Sequence, residues 1–395
     1  MDNQLTGILT LLRSALTAQS LTLPESFDWV QAKQVLQKHR LAGLAFQGAT
    51  RCGISKTSPE LQQLMALFCR DIADHRAQLQ ELQLIYDQFD ACGIDYLPLK
   101  GAVLKSLYPQ GALRPMGDAD ILIRDAQYRR IRQTMTDLGM QFVDRNDYHF
   151  EWKGNRLSAE LHITLMPPGI PLLSSYYKNI WQKALPTGHG CQYRLSEEDH
   201  FIFLLVHFAR HYQEGAISAK SLCDFWVFRQ AYPNMDEAYI RSELEKLRLL
   251  AFYQNVLKLL QVWFSGEPAD PVTEQMTETV FRGGILDAEE TMAALKILAD
   301  RKRAAAPGQD KKSSIWRRAF PPFSQMVCRY PFLEKYPVLL PVSWLMRFWD
   351  LVGRPEKIQR NLRFVTNVSQ LSEDCLSQLE SQLQAVGLEI TDPER

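Results

Sequence analysis

Apolar residues recur at helical spacing through the first ninety positions, first at Leu5, Ile8, Leu9, Leu12 and Leu16, then at Leu61, Leu64, Met65, Phe68 and Ile72. The stretch Ala77–Phe89 continues as a helix and stops near Cys92-Gly93, where glycine can supply a left-handed cap. The period then changes. Ile94–Leu99 reads as a short strand ending at Lys100-Gly101, and Ala102–Tyr108 as a short helix closed by Pro109 and Gly111. Ala119–Ile123 is a second strand, and Ala126–Leu138 an amphipathic helix capped by Gly139. Further strands are predicted at Met140–Val143, Tyr148–Trp152 and Leu157–Thr164. This interleaving predicts an α+β, or mixed α/β, unit built around one sheet.

From Ser196 the pattern is helical again, with Asp199 three residues on as the capping partner. Helices are predicted over 197–213, 218–231, 236–248 and 250–264. Arg301–Ser314 is polar, basic and broken by Pro and Gly, so it reads as a linker. The aromatic- and Arg-rich run 315–352 has no assignable pattern. The expected organisation is a helical region over 1–85, a sheet unit over 86–195, a helical cap over 196–300 and a C-terminal arm over 301–395.

Composition narrows this little. The 395 residues carry 45 Lys+Arg and 45 Asp+Glu, so no overall charge points to nucleic acid or membranes. Locally, residues 301–360 hold 13 Lys/Arg against 4 Asp/Glu, or +9, and the rest of the chain therefore sums to −9. In that segment Trp316, Trp344, Phe348 and Trp349 interleave with Arg317, Arg318, Arg329 and Arg347. Such a mixture suits either an arm docked on the acidic remainder or a peripheral membrane contact by 315–352. Seven cysteines without a C-x-x-C pair fit reduced thiols better than a disulfide framework or a zinc site. Asp2 stands where a signal peptide would be basic, Arg13 interrupts the first apolar stretch, and no run approaches the ~18 apolar residues of a membrane span. The expectation is a cytoplasmic protein.

The chemistry concentrates between residues 99 and 164. Asp118 and Asp120 are two apart at the mouth of a strand, where alternation turns both side chains to one face. Two bare carboxylates ~4 Å apart repel by roughly 4 kcal/mol at an effective dielectric of ~20, so a fold keeps them readily only if a cation or a shared proton relieves the repulsion. Oxygen ligands suit magnesium (or manganese), which binds through a few carboxylates plus substrate phosphates. Glu160, in a strand with His162 on the same face, is the candidate third carboxylate. Lys100-Gly101 precedes a short helix whose N–H groups could face an anion, and Lys100 adds a compact charge suited to phosphate. Arg114 could clamp a phosphate oxygen.

These residues, with Leu107-Tyr108-Pro109 between them, resemble the nucleotidyltransferase superfamily of polymerase-beta-like fold. More closely they are similar to a bacterial family of uncharacterised nucleotidyltransferases marked by Lys-Gly, Leu-Tyr-Pro, Arg-x-x-x-Asp-x-Asp-Leu-Leu-Val and a later Asp-Leu-His. Here Ile121-Leu122-Ile123 follows the second Asp, and Glu160-Leu161-His162 stands where the family has Asp-Leu-His. The resemblance implies metal binding by Asp118 and Asp120, with Glu160 as third carboxylate. It also implies a nucleoside triphosphate gripped by Lys100, Gly101 and Arg114, with release of pyrophosphate. Lys100-Gly101-Ala102 lacks the turn serine of many superfamily members.

Other features carry less. His162 is expected to orient or pack. His200, His207 and His211 share one helical face, and 207/211 have metal-ligand spacing, yet a packed face with hydrogen-bonded edge histidines suits magnesium chemistry better. Asp224 is a candidate for binding the acceptor or pairing with Lys220. The leading expectation is nucleotidyl transfer to a small molecule or peptide. A non-catalytic nucleotide sensor or scaffold, and a toxin-like enzyme modifying protein or RNA, stand as alternatives. Neutral net charge speaks against a nucleic-acid acceptor, and the basic segment 301–360 keeps one open.

Overall fold

Side-chain alternation along β2, β4 and β5 of the main sheet separates a dry face from one that carries the acids, and that separation positions the site. A computed structural model describes residues 2–146, 148–167, 170–282, 286, 288–301, 310–323, 326, 327, 330, 332–352 and 355–390. The strands are β1 (Tyr96–Pro98), β2 (Asp118–Ile123), β3 (Gln141–Arg145), β4 (His149–Lys153) and β5 (Ser158–His162), in spatial order β1-β2-β5-β4-β3. Within this sheet β2 and β5 pair parallel, and the β1–β2, β3–β4 and β4–β5 pairings are antiparallel.

On the dry face, Ala119, Ile121, Ile123, Phe150, Trp152, Ala159 and Leu161 pack against Ile131 and Met135 of α6 (Tyr128–Asp137). Leu82, Ile85 and Phe89 of α4 (Pro59–Ala91) complete this layer. Tyr128 stacks on Phe150 with ring centroids 3.7 Å apart. The intervening residues of each strand necessarily point the other way. The expected strands are all present, each within a few residues of its sequence bounds. The short helix after β1, α5 (Lys100–Leu104), starts two residues earlier than expected and passes into a 3-10 turn at Lys105–Leu107.

Helix α4 is 33 residues long, started by Ser58, whose side chain accepts from the Leu61 N–H, and by Pro59 at its first position. The 85/86 division expected from sequence falls inside it. Before it lie α1 (Asn3–Thr17), α2 (Trp29–Lys38) and α3 (Ala42–Arg51). After the sheet, two short helices, α7 (Pro171–Tyr177) and α8 (Ile180–Lys183), and a small hairpin, β6 (Leu185–Pro186) with β7 (Tyr193–Arg194), lead into α9 (Glu197–Glu214). Helices α10 (Lys220–Ala231), α11 (Glu237–Lys246) and α12 (Leu250–Leu260) follow. The Ser196 side chain caps α9 through the Asp199 N–H, and Gly215 ends it at φ 71°.

The N-terminal and C-terminal helices share one continuous core, from Leu5 and Leu12 through Phe201, Phe225 and Phe252. Arg13 fastens them, donating from Nε to the Trp263 carbonyl at 2.8 Å and from Nη2 to that of Val262 at 2.7 Å. The helical regions that flank the sheet in sequence therefore meet in space.

Of the expected linker, residues 302–309 lie outside the described residues, and the chain is already helical from Asp310, in Asp310–Ala319. A further helix, Leu340–Val352, carries Val342, Leu345, Met346 and Trp349 exposed along one side. Trp316 is exposed as well, whereas Trp344 is tied to the Pro321 carbonyl. Arg329 lies outside the described residues. No helix among the described residues is long and apolar enough to cross a membrane.

Candidate active site

The polar face of the sheet carries the acids. In the parallel register Asp118 lies opposite Ser158, Asp120 opposite Glu160 and Leu122 opposite His162, while the antiparallel partner places His149 beside His162. Directly opposed residues share a face, so Asp118, Asp120, Glu160, His162 and His149 all front the same space. They line one cavity of about 380 Å³, whose other wall is α9 and α10: Phe203, His207 and His211 from the first, Lys220 and Ser221 from the second.

Asp120 is the anchor. It is almost fully buried, and its Oδ1 accepts from Lys100 Nζ at 2.6 Å and faces His162 Nε2 at 3.0 Å. Burial alone would raise its pKa; Lys100 and His162 overcome that and hold the carboxyl well below the usual range. Asp118 goes the other way. Burial, then the negative charges of Asp120 and Glu160, push its pKa up. Glu160 is held down first by its contact with His162, whose Nε2 lies 3.4 Å from Oε2, against the opposing effect of burial. Burial disfavours the charged His162 ring, but the two carboxylates it faces raise its pKa on balance.

Lys100 reaches Asp120 from a strained backbone. Its φ is 41°, a left-handed conformation costing a non-glycine residue roughly 1–2 kcal/mol. Strain of this kind is tolerated where surrounding structure over-determines it, typically at functional sites. Gly101 is glycine for a packing reason: a Cβ there would lie 2.5 Å from Nη1 of Arg114 and 3.1 Å from Cγ of Met116.

Arg114 and Asp224 face each other across the site. Arg114 lines the cavity, but two of its guanidinium nitrogens are turned to Asp224. It is buried, donating from Nε to Asp224 Oδ1 at 3.1 Å and from Nη2 to Oδ2 at 2.8 Å. Asp224 in turn pairs with Arg114 rather than Lys220, and accepts from the Tyr108 hydroxyl at 2.8 Å. Lys220 donates instead to the Pro115 carbonyl at 3.3 Å. The three-residue knot of Tyr108, Arg114 and Asp224 clamps the loop before β2 onto α10.

The histidine face of α9 divides. His200 is buried away from the cavity against Phe228, and burial lowers its pKa to about 4. His207 and His211 line the cavity with their Nε2 atoms 3.1 Å apart. Burial pushes His207 well down, and burial with the Arg210 and Lys100 charges brings His211 to about 4. Two neutral rings at that distance share one proton between facing nitrogens. His149 was not singled out from sequence; its Nδ1 lies 3.7 Å from Glu160 Oε2.

The residues present suit a divalent cation bound with phosphates. Asp118, Asp120 and Glu160 supply hard oxygen donors on one face, and burial with like charge lifts the Asp118 pKa; among the described residues, the donor atoms within 4.8 Å of one another are those of His149, Glu160 and His162. Neither the curated proteins nor the solved structures include a match to this chain. The sequence model of a family described as uncharacterised nucleotidyltransferase matches residues 25–265, more than half of the chain and all of the elements that build this cavity, and the chain belongs to that family.

Proposed function

We propose that the chain transfers a nucleotidyl group from a nucleoside triphosphate to an acceptor, releasing pyrophosphate. The observation that carries this reading is the register that brings Asp118, Asp120 and Glu160 to one face of the sheet beside a cavity. A magnesium-type ion bound by these acids would polarise the α-phosphate and neutralise the departing pyrophosphate. Asp118 and Asp120 hold the ion side of the site, and Lys100, fixed on Asp120, keeps positive charge beside the phosphates. The acceptor oxygen or nitrogen bonds to the α-phosphorus as the α–β bridging P–O bond breaks, and that electron pair leaves with pyrophosphate. The acceptor proton passes toward Glu160, which is ionised and partly open to solvent.

The acceptor would enter from the helical wall. Phe203 and Phe208 offer apolar contact there, while His207, His211, Lys220 and Ser221 offer hydrogen bonds. A space of about 380 Å³ shared with part of a nucleotide suits a small molecule or a single side chain better than folded nucleic acid.

The test is a screen of the four nucleoside triphosphates with magnesium against a metabolite and peptide library, reading pyrophosphate release. Turnover in the wild type that disappears in Asp118→Ala and Asp120→Ala supports the proposal. Equal residual turnover in all three proteins overturns it.

A further inference from the structure

The polar face of the sheet holds more nitrogen donors than a purely magnesium-binding site needs. His149, Glu160 and His162 each offer one ligand atom, and the three atoms lie within 4.8 Å of one another. His162 Nε2 is 3.4 Å and His149 Nδ1 3.7 Å from the same oxygen, Glu160 Oε2. Two ligands each ~2.1 Å from a common ion stand about 3.0–3.4 Å apart, so the two His–Glu contacts are already close to that spacing, and the triplet would draw together around an ion. Asp120 Oδ1 also lies 3.0 Å from His162 Nε2, but it is held by Lys100 Nζ at 2.6 Å and stands outside this group.

The two rings pack against each other and against Tyr148, while Nδ1 of His162 is buried with no hydrogen-bond partner. His149 and His162 are neighbours in the β4–β5 register and meet edge to face, with centroids 5.2 Å apart. Tyr148 packs edge-on against His149 and tilts over His162. Asn146 Nδ2 lies 3.3 Å from His149 Nδ1 and 3.0 Å from its Nε2, at the edge of the ring.

We infer that the Glu160 side of the site binds a first-row transition ion in preference to magnesium, through His149 Nδ1, Glu160 and His162 Nε2. Magnesium sheds water reluctantly and takes oxygen ligands, whereas imidazole nitrogen suits transition ions. Asp118 and Asp120 remain an oxygen-donor pair suited to an ion that also carries the triphosphate. The inference rests on the nucleotidyl-transfer reading for the use to which the ion is put, but its test is independent of turnover.

The test uses the full chain without nucleotide and Mn2+ as the probe. Pulsed EPR of the wild-type complex is expected to show modulation from directly bound imidazole nitrogen. Calorimetry is expected to give Mn2+ at least tenfold tighter than Mg2+, a margin that His149→Ala and His149→Gln both reduce. A bound Mn2+ with no nitrogen coupling, or equal Mn2+ affinity in wild type and both variants, overturns the inference. Nitrogen coupling in a protein that releases no pyrophosphate from any triphosphate would uphold this site and sink the transferase reading; magnesium-supported turnover without nitrogen coupling would do the reverse.

Discussion

Asp224→Ala tests whether Arg114 belongs to the architecture of the site or to its phosphate grip. The substitution removes the acceptor of two charge-assisted hydrogen bonds and of the Tyr108 hydroxyl, all buried. Breaking a buried pair by deleting one partner costs about 3–5 kcal/mol, because the remaining charge is stranded. The orphaned Tyr108 hydroxyl adds about 1 kcal/mol or more. The expected loss is thus roughly 4–6 kcal/mol, a large share of the 5–15 kcal/mol typical of a folded domain. Urea denaturation followed by tryptophan fluorescence measures it. Replacing the pair together, as Arg114→Met with Asp224→Leu, leaves no stranded charge and is expected to restore most of the loss. If Arg114 instead gripped the triphosphate, freeing it from Asp224 would tighten nucleotide binding and leave stability within about 1 kcal/mol of wild type. That result would refute the structural assignment.

Other outcomes follow from the same loop. Lys105 is buried, with Gln78 Oε1 3.5 Å from its ammonium, and burial lowers its pKa from 10.5 to about 8. Below pH 8 the ammonium is charged in both states, so the folded protein bears the full cost of burying it; between pH 8 and 10.5 the unfolded chain binds more protons and stability rises with pH. The difference of 2.5 pH units corresponds to at most about 3.4 kcal/mol, so Lys105→Met is expected to stabilise the protein at pH 7 and progressively less as pH climbs past 8, measured by urea midpoints across that range. Gly101→Ala drives a Cβ into Arg114 and Met116 and is expected to cost about 1–3 kcal/mol in thermal unfolding. An unchanged melting temperature would mean that the loop yields freely.

The parts of the site that follow strand periodicity were legible in the sequence. Asp118 and Asp120 were placed on one face by alternation alone, and the same rule put Glu160 with His162. What stayed hidden depends on pairing between distant segments. The strand around Tyr148–Trp152 was readable, but only its register with β5 shows His149 beside Glu160. Arg114 and Asp224 are 110 residues apart, and a buried ion pair at that separation leaves no local signature. The α9 histidines fell on one face as expected, yet periodicity could not tell that His207 and His211 front the cavity while His200 packs on Phe228. The single core joining both helical flanks was likewise invisible, because Arg13 and Trp263 are 250 residues apart.

The most direct measurement is anomalous diffraction from crystals grown with Mn2+ and a non-hydrolysable triphosphate analogue. Manganese is expected on carboxylate oxygens of Asp118 and Asp120, with the triphosphate of the analogue completing its coordination. No manganese at Asp118 and Asp120, with the analogue bound elsewhere on the chain, would contradict this reading, whether or not a second ion sits beside His149 and Glu160.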